Sequence, residues 1–204
     1  VVVGAGPSIE RTVEPLIPLL HRLPVLAADG SARALLELGV IPYAIATDLD
    51  GDLSAILDAC RSGATIFLHA HGDNVDKLVE YGREIAEVCR YVVPTTQFPR
   101  APQPLVNVGG FTDGDRCCAI AYGIGFERLL LIGMDLNSCY SSRYSKGFEE
   151  RLRMRKMLKL VIAKKVIDSI ARRIEVLEVG SHSLLYSKRI SIEEARTLVH
   201  NWLW

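Results

Sequence analysis

Four short apolar runs in the first 75 residues each give way to a polar cluster carrying glycine. The clusters are Gly4-Ala5-Gly6-Pro7-Ser8, Ala28-Asp29-Gly30, Asp48-Leu49-Asp50-Gly51-Asp52 and His71-Gly72-Asp73-Asn74. Apolar runs of strand length alternating with helical periodicity read as an α/β chain with a mainly parallel sheet. In such sheets ligands bind beyond the carboxyl ends of the strands. Four polar clusters at one edge therefore constrain both the fold and the place where function resides.

The apolar runs predict strands over 1–3, 24–28, 43–47, 65–69, 90–93, 105–107 and 128–133, with helices over 8–22, 30–38, 53–61, 74–88 and 114–124. A long helical pattern covers 147–174, followed by strands at 175–179 and 184–188 and a last helix capped by Ser191. The expected architecture is a Rossmann-like α/β sheet, mainly parallel, with flanking helices, a long C-terminal helix and short strand elements. At 204 residues, with no repeat or linker, it fits one α/β domain over 1–204. Residues 1–145 would form a nucleotide- and metal-binding core, and 146–204 a helical elaboration.

Charge separates the same two regions. Residues 146–173 carry ten Lys and Arg against three Asp and Glu, whereas 1–145 carry 11 against 17. An acidic body beside a basic helix suits a metal and a polyphosphate better than a long nucleic acid. No apolar run approaches the roughly 20 residues of a membrane span, and no signal peptide is visible. A soluble, cytoplasmic protein is expected, without a membrane or nucleic-acid partner. Five cysteines without a C-x-x-C pair argue against a disulfide framework or zinc site. The apolar ending Trp202-Leu203-Trp204 makes a homodimer conceivable.

Asp48 and Asp50 carry the chemistry. Residues i and i+2 at a strand end point the same way, so both carboxylates can face a cation in the crevice. Two carboxylates about 5 Å apart repel by roughly 3 kcal/mol at an effective dielectric of 20, a cost that a divalent ion offsets. All-oxygen ligands favour magnesium or manganese. The competing reading is an acidic turn capping the helix at 53–61, with Asp52 as the cap. An EF-hand beginning at Asp48 needs Gly and Glu where Leu53 and Ala59 stand. A dehalogenase-like phosphatase needs a longer interval before its next acidic motif than Gly72-Asp73 provides.

Gly6 and Ser8 lie where a strand-to-helix turn offers N–H groups to phosphate, or simply makes a tight turn. His69 is expected to pack in the sheet, with Asp73 as a further crevice carboxylate. Thr95-Thr96-Gln97 and the segment from Asn107 through Gly109, Gly110, Asp113 and Asp115 to Arg116 suit a heterocycle held by amide and carboxylate contacts, with Arg116 available for phosphate. Asp115 has an alternative as a helix N-terminal residue. Arg151, Arg155 and Lys159, with Lys156 beside them, form a basic stripe, read either as a solvated face or as charge for a polyphosphate.

Taken in order, G-A-G-P-S (4–8), A-D-G (28–30), T-D-L-D-G (47–51), H-A-H-G-D-N (69–74), T-T-Q (95–97), G-G-F-T-D-G-D-R (109–116) and G-M-D (133–135) resemble the archaeal 6-hydroxymethyl-7,8-dihydropterin diphosphokinases, which are related to thiamin pyrophosphokinase. The resemblance implies magnesium-dependent transfer of diphosphate from ATP, the co-substrate, to a small pterin alcohol, releasing AMP, in the synthesis of tetrahydromethanopterin or a folate-type cofactor. It implies metal ligation by Asp48 and Asp50, with Asp29 and Asp73 nearby, and catalytic roles for Asp48, Asp50 and Asp73. Asp113, Asp115 and Asp135, with Asn107, become candidates for the pterin. Phe111 stands where thiamin pyrophosphokinases have arginine, and Arg116 is the candidate substitute. Two other readings compete: a nucleotide-sugar glycosyltransferase of the sialyltransferase-like type, suggested by G-x-G-P-S, and a nucleotide-binding module without turnover.

Overall fold

The computed structural model describes residues 1–140, 142–144 and 150–202, and among them the side chains of 150 and 199–201 are not described. Eight strands are present among the described residues: β1 Val2–Val3, β2 Leu26–Ala28, β3 Ala44–Thr47, β4 Thr65–Ala70, β5 Val92–Thr96, β6 Arg128–Ile132, β7 Glu175–Val179 and β8 Lys188–Ile190. They form one sheet in the order β5-β4-β3-β2-β1-β6-β7-β8, with every pairing parallel. Strand order reverses direction between β1 and β6, the topological switch at which such sheets open a crevice.

Among the described residues eight α-helices flank the sheet: α1 Ile9–Thr12, α2 Ile17–Leu20, α3 Ser31–Glu37, α4 Leu53–Arg61, α5 Val75–Val88, α6 Asp113–Gly123, α7 Arg153–Ala171 and α8 Ile192–Trp202. Side chains alternate across the sheet, as a pleat requires. Ala27, Ile45, Leu130 and Ile132 pack into one core with α1 to α5 and α8. Leu26, Ala44, Ala46, Leu129 and Leu131 pack into a second core against α6 and α7. The division follows from handedness. Right-handed crossovers put helices on one face while the strand order runs outward from β1 to β5, and on the other face once it runs outward through β6 and β7.

The expected architecture holds, with local differences. The helix expected over 8–22 is two short helices joined by a 3₁₀ turn at Glu14–Leu16, because Pro15 and Pro18 remove amide donors. The strand expected at 90–93 runs instead over Val92–Thr96, set by its pairing with β4. The strand expected at 105–107 is only a bridge between Thr95 and Val106. The strand expected at 184–188 begins at Lys188, since the preceding loop wraps the buried carboxylate of Glu178, which accepts from the Ser183 and Leu184 amides. The helix expected over 147–174 is a 3₁₀ turn at Glu150–Leu152 followed by α7. Residues 147–149 of that pattern, and Leu203 and Trp204 of the apolar ending, lie outside the described residues. No described helix is long and apolar enough to cross a membrane.

Candidate active site

A cleft of about 510 Å³ opens at the carboxyl ends of the strands, within the usual range for small-molecule sites. Its walls come from the ends of β1 (Gly4 to Gly6), β2 (Asp29), β3 (Asp48 and Asp50), β4 (His69, His71 and Asp73), β5 (Gln97) and β6 (Asp135). The start of α6 and the Arg155–Leu160 stretch of α7 complete it. A more open hollow of about 690 Å³, around Tyr122 to Glu127 and Ala171 to Glu175, draws on two segments only, near the starts of β6 and β7.

The rim between β3 and α4 is a tight turn rather than extended strand. Leu49 has φ of 65°, in the left-handed region, and its side chain is buried while Asp48 and Asp50 flank it at the cleft. The two carboxylates thus reach one cleft by a turn, where the sequence suggests strand periodicity. Asp48 accepts from the Asp50 amide at 3.1 Å and contacts His71 Nε2 at 3.3 Å. His71 Nδ1 accepts from the Asp73 amide at 3.3 Å, which fixes the tautomer that donates from Nε2 to Asp48. Lys77, on α5, donates to Asp50 and to the Leu49 carbonyl. Asp52 caps α4 by accepting from Ala55.

Asp29 sits behind this turn with φ of 41°. Its Oδ1 accepts from the Thr47 hydroxyl at 2.6 Å and the Gly51 amide at 3.1 Å. Burial raises its pKa, opposed by those donors and reinforced by Asp48 and Asp50. Asp113, on the α6 side, is raised further, by burial and then by the charges of Asp29 and Asp48, against the pull of Arg116. The carboxylates gathered at the cleft therefore disfavour the ionisation of Asp29 and Asp113. Among the described residues no three His, Cys, Asp or Glu side chains form a ready-made metal cage. The oxygen donors of Asp48 and Asp50 at the cleft suit a hard cation such as magnesium, which takes one or two carboxylates and completes its shell with water and phosphate oxygen.

The expected site residues divide. Gly6, Asp29, Asp48, Asp50, Asp73, Gln97, Asp113, Arg116 and Asp135 line the cleft. Ser8 does not. It is buried, and its amide donates to Asp135 Oδ2 at 2.7 Å, so the N–H expected to meet phosphate already meets a carboxylate. Thr95 and Thr96 are buried behind the wall, and Asn107 and Gly109 lie in a loop stapled by the Asn107 side chain. Asp115 is fully buried and spends its oxygens on the amides of Phe111 and Thr112, so it shapes the α6 N-terminus instead of facing a ligand. Arg116 is only 2% exposed and donates to Asp113 at 2.8 Å, lying beneath the cleft rather than reaching across it. Asp73, by contrast, is 77% exposed and pairs with Arg155 at 3.5 Å.

Asn74 and Lys77 support the rim without having been assigned a role from the sequence. Lys77 had a signal: it is the single lysine of residues 1–145, one turn into a helix that follows the acidic turn. Arg155, Lys156 and Lys159, from the basic stripe and its neighbour, line the same cleft as the carboxylates. Burial lowers the Lys156 pKa.

A family model described as 6-hydroxymethylpterin diphosphokinase MptE-like matches residues 1–141. The 6-hydroxymethyl-7,8-dihydropterin pyrophosphokinase of Methanocaldococcus jannaschii is 38% identical over 186 residues, 86% of this chain and 75% of that protein. Its namesake from Methanothermobacter thermautotrophicus is 38% identical over 181 residues with the same coverage. That of Pyrococcus furiosus is 39% identical over 140 residues, 67% of this chain and 55% of the relative. Among solved structures, a glycosyltransferase from Magnetospirillum magneticum superposes with a TM-score of 0.58 over 94% of this chain and 34% of its own, at 16% identity. A likeness at that identity shows the fold alone.

Proposed function

The chain belongs to the 6-hydroxymethylpterin diphosphokinase MptE-like family, and we propose that its cleft transfers diphosphate from magnesium-bound ATP to the hydroxymethyl oxygen of 6-hydroxymethyl-7,8-dihydropterin, releasing AMP. The pterin oxygen attacks the β-phosphorus, the bond from that phosphorus to the α–β bridging oxygen breaks, and AMP leaves with the electron pair. The observation that carries this reading is that Asp48 and Asp50 share one cleft with Arg155, Lys156 and Lys159. A triphosphate needs cationic partners for its oxygens, and phosphoryl transfer depends chiefly on positioning and charge neutralisation.

Asp48 and Asp50 would hold the magnesium, with Asp29 behind them supporting the turn through Gly51. When bound, the ion supplies Lewis-acid stabilisation of charge on the phosphate oxygens. His71 orients the Asp48 carboxylate, and Lys77 tethers Asp50. The α7 cations would take the outer phosphate oxygens. Asp73, exposed and beside Arg155, is our candidate to accept the hydroxyl proton.

Incubation of the protein with ATP, magnesium and 6-hydroxymethyl-7,8-dihydropterin tests the proposal. AMP should appear in equal amount with the pterin diphosphate, and Asp48→Asn or Asp50→Asn should lower the rate by roughly 100-fold or more. Release of ADP or inorganic phosphate without AMP would overturn it.

A further inference from the structure

Among the described residues three buried side-chain polar atoms have no hydrogen-bond partner: Ser8 Oγ, His69 Nε2 and Arg116 Nε. His69 and Arg116 both line the cleft, and they are 3% and 2% exposed. A buried donor or acceptor left unpaired is costly and calls for an explanation. Two of them at the bottom of one cleft point to a ligand that supplies the missing partners.

Their polarity follows from their neighbours. Thr95 Oγ1 donates to the Leu68 carbonyl at 3.4 Å and therefore accepts from His69 Nδ1 at 3.1 Å. Nδ1 then carries the ring proton, and Nε2 presents a lone pair. Burial, followed by the nearby Arg116 cation, lowers the His69 pKa to about 4, so the ring is neutral at physiological pH. Arg116 Nη1 is committed to Asp113, while its Nε–H lacks an acceptor. The cleft bottom thus offers one acceptor and one donor.

We propose that His69 and Arg116 read the lactam edge of the pterin, with His69 Nε2 accepting from N3–H and Arg116 Nε donating to the C4 carbonyl oxygen. The inference rests on the diphosphokinase reading and adds to it the place of the acceptor's ring. An adenine edge also sets a donor beside an acceptor, and connectivity separates the two. The His69 and His71 rings lie with centroids 5.6 Å apart, and His71 in turn contacts Asp48. The reacting oxygen of the pterin hangs from its ring by one methylene, so that ring must lie close to the rim carboxylates. Adenine is held away from the β-phosphorus by a ribose and the α-phosphate, which places its ring farther out.

Separate titrations of 6-hydroxymethyl-7,8-dihydropterin and of ATP against wild type, His69→Leu and His69→Gln test the assignment. His69→Leu should weaken pterin binding by about tenfold or more while ATP stays within about twofold, and the Gln variant, with an amide oxygen to accept, should recover much of the loss. Wild type should also bind 6-hydroxymethylpterin at least about tenfold tighter than its 2,4-diamino analogue, whose edge has the opposite polarity at both positions. That comparison decides the matter even if His69→Leu does not fold. Weakened ATP with unchanged pterin binding, or no preference between the two pteridines, would overturn the assignment while leaving the diphosphokinase reading intact. Failure of wild type to bind the pterin or to form AMP from it would remove both.

Discussion

Asn74 ties itself to Asp48 across the rim, its Nδ2 donating to the Asp48 carbonyl at 2.9 Å while the same nitrogen donates to the His69 carbonyl at 2.7 Å. Its Oδ1 accepts from the His71 amide at 3.0 Å. One buried side chain therefore fixes the ends of β3 and β4 relative to each other.

Asn74→Ala should destabilise the fold by roughly 2–4 kcal/mol, because it strands two carbonyls and an amide out of water. Urea titration reads this as a lower midpoint. AMP formation should fall mainly in kcat, since the Asp48 and His71 backbones lose their shared anchor.

Gly110 and Gly109 make a matched pair. Both have positive φ, 82° and 80°. A Cβ on Gly110 would lie 2.5 Å from the Arg116 Cα, whereas one on Gly109 would meet nothing closer than 3.7 Å. Gly109→Ala should cost about 1–2 kcal/mol, the backbone strain alone. Gly110→Ala should cost clearly more, because backbone must move, and should displace Arg116. Thermal denaturation of the two variants side by side checks the order.

Lys159 lines the cleft, whereas Lys164, farther along α7, contacts Asn137 instead. Lys159→Ala should raise the KM for ATP by roughly five- to tenfold and reduce its dependence on salt. Lys164→Ala should change neither, and steady-state kinetics at two ionic strengths separate the cases.

His69 gives stability a pH dependence of definite sign. Its folded pKa of about 4 lies below the ordinary value of about 6.5. As pH falls between those values the unfolded chain takes up a proton that the folded chain refuses, so stability is fully present above about 6.5 and is lost on acidification. The loss attributable to His69 should reach roughly 2–3 kcal/mol by pH 4.5. The raised carboxyls of Asp29 and Asp113 act in the opposite sense, so the comparison is with His69→Leu. From pH 7 to 4.5 the urea midpoint of that variant should fall less, or rise more, than that of wild type.

Much of the framework was legible because it depends on local pattern. The apolar runs at 44–47 and 128–132 are strands within a residue or two of expectation, and the polar clusters after them do share one edge. The errors come from partners that no local window contains. Val106 bridges Thr95 but does not extend, with Pro102 and Pro104 just before it depriving the segment of amide donors. Ser8 has the sequence context of a phosphate-binding turn, yet Asp135, 127 residues away, takes its amide. Asp115 and Asp113 look alike in sequence, and only the closing of the 109–112 loop makes one a cap and leaves the other in the cleft. Asp48 and Asp50 were legible as a pair, whereas their supports, His71, Asn74 and Lys77, arrive from the turn after β4 and from α5.

Leu49 couples two properties that are usually free to vary separately. Its side chain belongs to the same apolar cluster as Ile45, Ile56 and Ile66, while its backbone aims the acidic pair on either side. Substitutions in the interior beneath it will therefore register first as changes in turnover and only later as unfolding.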